Sequence, residues 1–235
     1  MPFDTTRWSL VLAAGGDDTS AARAALATLC ESYWYPLYAY IRRWGINADE
    51  ARDLTQGFLA SLLERRDFAT LRQERGRFRS FLLASLQHYL ANETARRHAR
   101  KRGGGIVLLP LTVDDAEGRY RVEPADLETP ETLYERRWAL TVIDRVLAGL
   151  REEWNAAGRT AEFDALKACL LGSTPAGGYA AIAQRLDSTE GAVKVAVHRL
   201  RRKFQARLRQ EIAETVSDPG EVDDEIRYLL RALRM

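Results

Sequence analysis

The chain has 235 residues, of which 46% are hydrophobic, enough for one large domain or two small ones with a sizeable core. Its formal net charge is only +2, so the total does not indicate a nucleic-acid ligand and the distribution of charge must decide. No segment approaches the ~20 apolar residues that span a bilayer and no signal peptide is evident, so we expect a soluble, cytoplasmic protein with no membrane partner.

Helical hydrophobic periodicity runs through the first part of the chain. It predicts four helices, over residues 6–14, 20–44, 47–66 and 77–102. Gly45 is a plausible stop for the second of these helices. Asn47 is placed to cap the third, because its side chain can accept hydrogen bonds from the free amides at a helix start. A loop around residues 68–76 separates the third helix from the fourth.

The helical period stops at residue 103 and resumes after Pro130. Residues 103–130 contain a glycine triplet and prolines, which predicts a linker. Further helices are expected beyond it, ending in one opened by Asp218 and Pro219. We therefore predict an all-α protein with two small helical domains, a linker and an acidic C-terminal helical extension. The domains are predicted at residues 1–102 and 131–210, the linker at residues 103–130 and the extension at residues 211–235.

Charged residues are strongly segregated along the chain. Residues 72–102 contain nine Lys or Arg against two acids, and residues 185–209 contain eight against two. Residues 111–135 and 210–226 are acidic instead, so the near-zero total conceals one basic block in each predicted domain. A solvated helix normally mixes both signs, because like charges at i,i+4 oppose the helix. The blocks favour a polyanion ligand over a merely solvated face or a membrane surface.

The stretch YAAIAQRLDSTEGAVKVAVHRL, residues 179–200, has the layout of a helix-turn-helix. Ile182 and the small Ala183 are expected to pack the first helix against the second. Asp187 lies in the turn, where glycine is common, and aspartate tolerates the left-handed backbone conformation better than most residues. Ser188 is placed to cap the second helix.

The outward side of the second helix is polar and cationic. Residues expected to face the base edges of a major groove are Thr189, Glu190, Lys194, His198 and Arg201. Residues expected to contact phosphates are Arg199, Arg202 and Lys203.

Three separated stretches together resemble one family of proteins. They are DEARDLTQGFLASLLE (49–64), GRFRSFLLASLQHYLANETARRHARKR (76–102) and YAAIAQRLDSTEGAVKVAVHRLRRKF (179–204). In this order, with a linker between the second and the third, they are similar to bacterial RNA polymerase sigma factors of the small, two-domain, extracytoplasmic-function type. The opening residues, the start of the linker and the tail are reminiscent of planctomycete-type members.

The resemblance implies a role for each stretch. The first looks like the helix that binds core RNA polymerase, whose motif is roughly Asp-Leu-x-Gln-x-x-Phe-Leu. The residues that this likeness assigns to the polymerase are Asp49, Asp53, Gln56, Phe58 and Leu59. The second stretch looks like the segment that opens and reads the −10 promoter element, and the third like the domain that reads the −35 element. The implied partners are core RNA polymerase and promoter DNA. The resemblance also allows an anti-sigma factor or another regulator as a further partner.

The −10 segment would hold an extruded base and follow the single strand. The residues assigned to it are Arg72, Arg75, Arg77, Arg79, His88, Asn92, Arg96, Arg97, Arg100 and Lys101. Those assigned to the −35 element are Ser188, Thr189, Glu190, Lys194, His198, Arg199, Arg201 and Arg202. Phe78, Phe81 and Tyr89 are candidates for stacking on bases, although aromatic residues at helical spacing more often belong to a core.

Two other classes of function compete with this interpretation. A polymerase-independent helix-turn-helix regulator would explain the second domain, but it leaves the basic helix and the Asp-Leu-x-Gln motif of the first domain without a task. An enzyme is disfavoured, because the histidines are scattered and no Cys/His spacing or phosphate-binding loop is present. We expect no catalytic activity, cofactor or metal, and we expect Cys30 and Cys169 to be buried thiols.

The acidic tail suggests two further hypotheses. It could fold back over the second domain and screen that domain's basic face until polymerase binds. Alternatively, its amphipathic helix, with Val222, Ile226, Leu229 and Leu233 on one side, could complete the core of the second domain.

Overall fold

The computed structural model describes residues 7–8, 11, 20–64, 77–99, 120, 129–170 and 177–234. Over these ranges the chain forms eight α-helices and no strand, which confirms the all-α prediction. The helices are α1 (Ser20–Arg43), α2 (Ala48–Glu64), α3 (Phe78–Ala99), α4 (Pro130–Ala156), α5 (Thr160–Leu166), α6 (Gly178–Arg185), α7 (Glu190–Ala213) and α8 (Val222–Ala232). Two short 3₁₀ helices, Lys167–Cys169 and Pro219–Glu221, follow α5 and precede α8. None of the described helices is both long and apolar enough to cross a membrane.

Some of the predicted elements fall outside the described residues. Of the predicted helix at 6–14, the structure describes Arg7, Trp8 and Val11, all three in helical conformation. Of the predicted linker at 103–130, it describes Tyr120 and the last two residues. The loop before α3 also lies outside the described ranges.

Most of the residues expected to end or to cap helices do so in the structure. Gly45, just beyond α1, has a φ of +79°, a conformation that glycine adopts without steric cost. The side-chain oxygen of Asn47 accepts from the backbone N–H of Glu50 at 2.9 Å, so Asn47 caps α2 as predicted. Asp218 caps the 3₁₀ helix before α8 by accepting from Gly220 N–H at 2.8 Å.

The chain divides into two compact units, one formed by residues 1–141 with 212–235 and the other by residues 142–211. In the first unit, α1, α2 and α3 pack against one another. An aromatic cluster lies in the core of this unit. The indole N–H of Trp138 donates to the Tyr33 hydroxyl at 2.9 Å, and the rings of Tyr33 and Trp8 lie 5.0 and 4.9 Å from Phe78.

Burial decides whether Phe78 and Phe81 belong to the core or are free to stack on bases. Both rings are buried in the first unit, at 0% and 5% exposure, so they belong to the core and do not stack on bases in this conformation. Tyr89 is half-buried, with its ring 5.7 Å from that of Phe58.

The second unit is built from residues 142–156 of α4 together with α5, α6 and most of α7. Its core contains Val146 and Leu150 of α4. Trp154 and Phe163 pack with their rings 6.0 Å apart. Cys169 of this unit and Cys30 of the first are both buried free thiols, as predicted.

The C-terminal extension packs in the first unit, and both hypotheses drawn from the sequence placed it on the second domain. The Thr215 carbonyl accepts from Phe78 N–H at 2.9 Å, and Val216 forms an antiparallel bridge with Arg77. The Glu214 carbonyl accepts from Trp8 N–H at 3.1 Å. The amphipathic pattern of α8 predicted a buried side but did not indicate which core that side completes.

Candidate nucleic-acid interface

A short turn that contains Asp187 joins α6 to α7. Asp187 adopts a φ of +47°, the left-handed conformation expected of a residue in this turn. The Ser188 N–H donates to the Ala183 carbonyl at 2.9 Å, which closes the end of α6. The Thr189 hydroxyl accepts from Ala192 N–H at 3.2 Å. Thr189 is therefore the cap of α7, which corrects the assignment of that role to Ser188.

Both helices bury residues on one side. Ile182 and Ala183 of α6 are buried, and so are Val193 and Val197 of α7. Burial of Val193 and Val197 leaves the opposite side of α7 facing outward.

The outward side of α7 carries most of the residues predicted to contact DNA. Those that are exposed are Ser188, Thr189, Glu190, Lys194, His198, Arg199, Arg202 and Lys203. Lys194 pairs with Glu190 at 2.8 Å, and the hydrogen bond to this carboxylate raises the pKa of Lys194. Lys203 lies 3.6 Å from a carboxylate oxygen of Glu153.

Arg201 is the exception among the predicted base contacts. Its Nε and Nη2 donate to the carbonyl of Cys169 at 3.0 and 2.7 Å, and the residue is half-buried. Carbonyls at the end of a short helix lack partners within that helix, so a guanidinium can satisfy one with two parallel bonds. Arg201 thus ties α7 to the 3₁₀ helix Lys167–Cys169, which corrects its assignment to base recognition.

The predicted −10 residues on α3 occupy different environments. His88 and Asn92 are exposed and lie one turn apart. Arg96 and Arg97 lie in α3, but their side chains are outside the described structure. The remaining predicted residues beyond the described ranges are Arg72, Arg75, Arg100 and Lys101.

Arg79 is buried, which corrects its assignment to DNA. Its Nε donates to Glu225 at 2.6 Å, its Nη1 lies 3.5 Å from Glu135, and its guanidinium lies 3.8 Å from the centre of the Tyr228 ring. Burial lowers the pKa of Arg79, but the hydrogen bond and the charge of Glu225 more than offset this effect and raise it above its ordinary value. Arg77 also binds Glu225, at 2.8 Å, and remains half-buried.

Glu225 was not identified from the sequence as a functional or structural centre. It is 0% exposed and accepts from two arginines at the start of α3. Its position within the apolar stripe of α8, three residues after Val222 and four before Leu229, was the signal that it would be buried.

The residues predicted to bind polymerase on α2 divide into two groups. Asp49 and Asp53 are exposed, and Asp49 lies 3.4 Å from Arg52. The other three are buried and not available on the surface, which corrects their assignment: Gln56, Phe58 and Leu59. Helical spacing shows which residues share a side of α2, but it does not show how far neighbouring helices cover that side.

The functional assignment depends on the chain's own residues. Among the residues that the structure describes, no group of three or more His, Cys, Asp or Glu is arranged to hold a metal ion. Comparisons of the chain with protein-family models, with curated proteins and with solved structures gave no significant match.

Proposed function

We propose that the chain is a sigma factor of the extracytoplasmic-function type, which binds core RNA polymerase and directs it to specific promoters. The observation that carries the proposal is the exposed polar and cationic side of α7, presented by the turn at Asp187. A helix held in this way is suited to enter a major groove, with its base contacts near its N-terminal end. The order of the three motif stretches supports the assignment to this family.

Recognition of the −35 element is assigned to α7. Lys194 can donate to guanine O6 and N7, and Glu190 can accept from a cytosine amino group. Their mutual ion pair is exposed to solvent and therefore weak, so each can exchange its partner for a base edge at little cost. Arg199 and Arg202, also exposed, are suited to phosphates, which position the helix without reading sequence.

Recognition of the −10 element is assigned to the exposed side of α3. His88 and Asn92 follow one another at one-turn spacing, which suits contacts along a single strand. Both side chains can donate to and accept from base edges. The buried Arg79 takes no part in this contact in the conformation described here.

Docking to polymerase is assigned to Asp49 and Asp53 of α2. They are exposed and spaced at i,i+4, so their carboxylates lie on one side of the helix. The family resemblance implies that this acidic side meets a basic helical surface of the polymerase clamp. Steering between opposite charges would favour their association.

A second candidate is a helix-turn-helix regulator that binds DNA without polymerase. One observation favours it. Gln56, Phe58 and Leu59 are buried, so three of the five residues assigned to polymerase already have a structural task within the first unit.

Binding of the labelled chain to purified core polymerase tests the proposal against this second candidate. Reversal of charge in Asp53→Lys removes an attraction and adds a repulsion, so we expect affinity to fall by about tenfold or more. Glu31→Lys changes an exposed residue of α1 by the same charge and serves as the matched control. Equal affinity of the wild-type chain and Asp53→Lys, or no binding at all, would reject docking through α2.

A further inference from the structure

A basic cavity on the first unit is lined by residues to which, apart from Arg77, no DNA contact is assigned above. Its volume is about 530 Å³, and its lining consists of Arg77, Asp224, Arg227, Leu230, Arg231 and Arg234. Four guanidinium groups and one carboxylate therefore share one opening, which gives the cavity an excess of positive charge.

Helical spacing explains why three of these arginines lie together. Arg227, Arg231 and Arg234 fall at i, i+4 and i+7 on α8 and the turn that follows it, so they share one side. All three are exposed. Arg77 joins them from the residue just before α3.

The position of Arg77 is fixed by two contacts with the C-terminal segment. Its backbone forms the antiparallel bridge with Val216, and its Nε binds the buried Glu225 at 2.8 Å. The side chain nevertheless keeps 27% of its surface exposed. Arg77 is therefore a preorganised cation in the wall of the cavity, and binding an anion would order little of it further.

The positive charge of the cavity is only partly neutralised within the protein. Arg227 pairs with Asp224, whose side chain is 58% exposed. Among the described residues, neither Arg231 nor Arg234 forms an ion pair with a carboxylate. Cations near the end of a helix complement its dipole, which accounts for these two arginines but not for the placement of Arg77 beside them. Like charges at i,i+4 oppose the helix, and a bound anion would relieve that repulsion.

We propose that this cavity binds phosphate groups of a nucleic-acid backbone, so that α8 forms part of the DNA-binding surface of the first unit. Guanidinium groups bind phosphate through paired N–H donors, and several of them can hold adjacent phosphates of one strand. The contact is independent of base sequence and adds to the base contacts assigned to α3. The inference rests on the proposed function, because that function supplies the DNA.

The salt dependence of DNA binding tests this inference. The full-length chain is titrated against a fluorescein-labelled, mixed-sequence single strand, and log K is plotted against log[NaCl]. Each phosphate contact to a single strand contributes about −0.7 to the slope, so Arg231→Ala/Arg234→Ala should make the slope shallower by about 1.4. Arg231→Lys/Arg234→Lys keeps both charges and should restore most of the slope.

An exposed arginine outside the cavity serves as the control for loss of positive charge. Arg151 of α4 belongs to the second unit and does not line the cavity. Arg151→Ala should leave the slope at the wild-type value. A wild-type slope in Arg231→Ala/Arg234→Ala would overturn the inference while the proposed function stands. A wild-type chain that binds no single strand at any salt concentration would also overturn the inference, whereas the proposed function is tested separately by binding to core polymerase.

A free phosphate compound is the other source of the same chemistry. The melting temperature of the chain is therefore compared in sodium phosphate and in sodium chloride of equal ionic strength. Stabilisation by phosphate that disappears in Arg231→Ala/Arg234→Ala, together with an unchanged DNA slope, would assign the cavity to a small phosphate ligand and overturn the nucleic-acid assignment. A shallower DNA slope in the same variant supports it.

Discussion

Glu225 is a buried carboxylate that binds two arginines near the start of α3. It is 0% exposed and binds Arg79, which is itself 5% exposed, together with Arg77. Burying a charge is costly unless its partner is well placed, and removing one partner leaves the other charge uncompensated. Loss of Glu225 would therefore leave the buried guanidinium of Arg79 with one carboxylate partner fewer.

Substitution Glu225→Gln keeps the size of the side chain and removes its charge. We expect a loss of about 3 kcal/mol in the free energy of unfolding, because among the described residues the buried Arg79 would keep only Glu135, at 3.5 Å, as a carboxylate partner. Urea unfolding followed by circular dichroism measures the change. The control is Asp224→Asn, which removes an exposed partner of Arg227 and should cost at most about 1 kcal/mol. Equal losses in the two variants would contradict the structural role of Glu225.

The thiol of Cys30 allows a second prediction at the scale of a single residue. Burial, with a smaller contribution from Glu31, raises the pKa of its thiol to about 12. In the unfolded chain a thiol titrates near 8.5, so between about pH 8.5 and 12 only the unfolded state loses the proton. Stability from Cys30 is thus complete below that range and falls as pH rises through it.

Unfolding at pH 7.5 and pH 9.5 measures this effect. Comparison with Cys30→Ala removes the contribution of other groups that titrate at alkaline pH. The wild-type chain should lose about 1.4 kcal/mol more than the variant, the value of one pH unit beyond the unfolded pKa. The same loss in both chains would show that Cys30 ionises in the folded state.

At the scale of elements, helices were predictable wherever the signal is local. The helical period indicated α1 to α4, Asn47 indicated the start of α2, and Asp187 indicated a left-handed turn. Assignments failed where they depended on a partner element. Gln56 is covered, Arg201 reaches a carbonyl 32 residues away in sequence, and α8 packs in the first unit. Periodicity states which side of a helix is apolar, but not what covers it.

The turn between α6 and α7 provides a test of the element that presents α7. At the φ of +47° observed for Asp187, a β-branched side chain clashes with the backbone, whereas glycine does not. Asp187→Val should lower the free energy of unfolding by roughly 2 kcal/mol, and Asp187→Gly should change it by less than about 0.5 kcal/mol. Urea unfolding provides the measurement. Equal stabilities of the two variants would mean that the turn does not require the left-handed conformation.

At the scale of the whole molecule, the net charge of +2 does not show how the charged residues are distributed over its surfaces. Each unit presents basic residues on a defined surface: the outward side of α7 in the second unit, and the cavity beside α8 in the first. The acidic residues have separate tasks, since Glu225 anchors arginines and Asp49 and Asp53 remain exposed on α2. Local charge, rather than total charge, therefore determines which partner each surface can bind.

The sequence predicted the exposed residues of α7 better than those of α3. On α7, helical spacing and the turn residue define the outward side without reference to any other element. At the start of α3, the environment of Arg77 and Arg79 is created by Glu225, which lies 146 residues beyond Arg79 in sequence. A contact of such separation has no local signal, and only the placement of Glu225 in an apolar stripe pointed to its burial.

The need for polymerase in promoter recognition tests the central claim most directly. Genomic DNA is transcribed in vitro by core polymerase with and without the chain, start sites are mapped, and binding of the chain to the mapped promoters is measured with and without core polymerase. We predict discrete start sites that require the chain and promoter binding that requires core polymerase. Equal promoter binding by the chain alone, or start sites that are the same without it, would contradict the account.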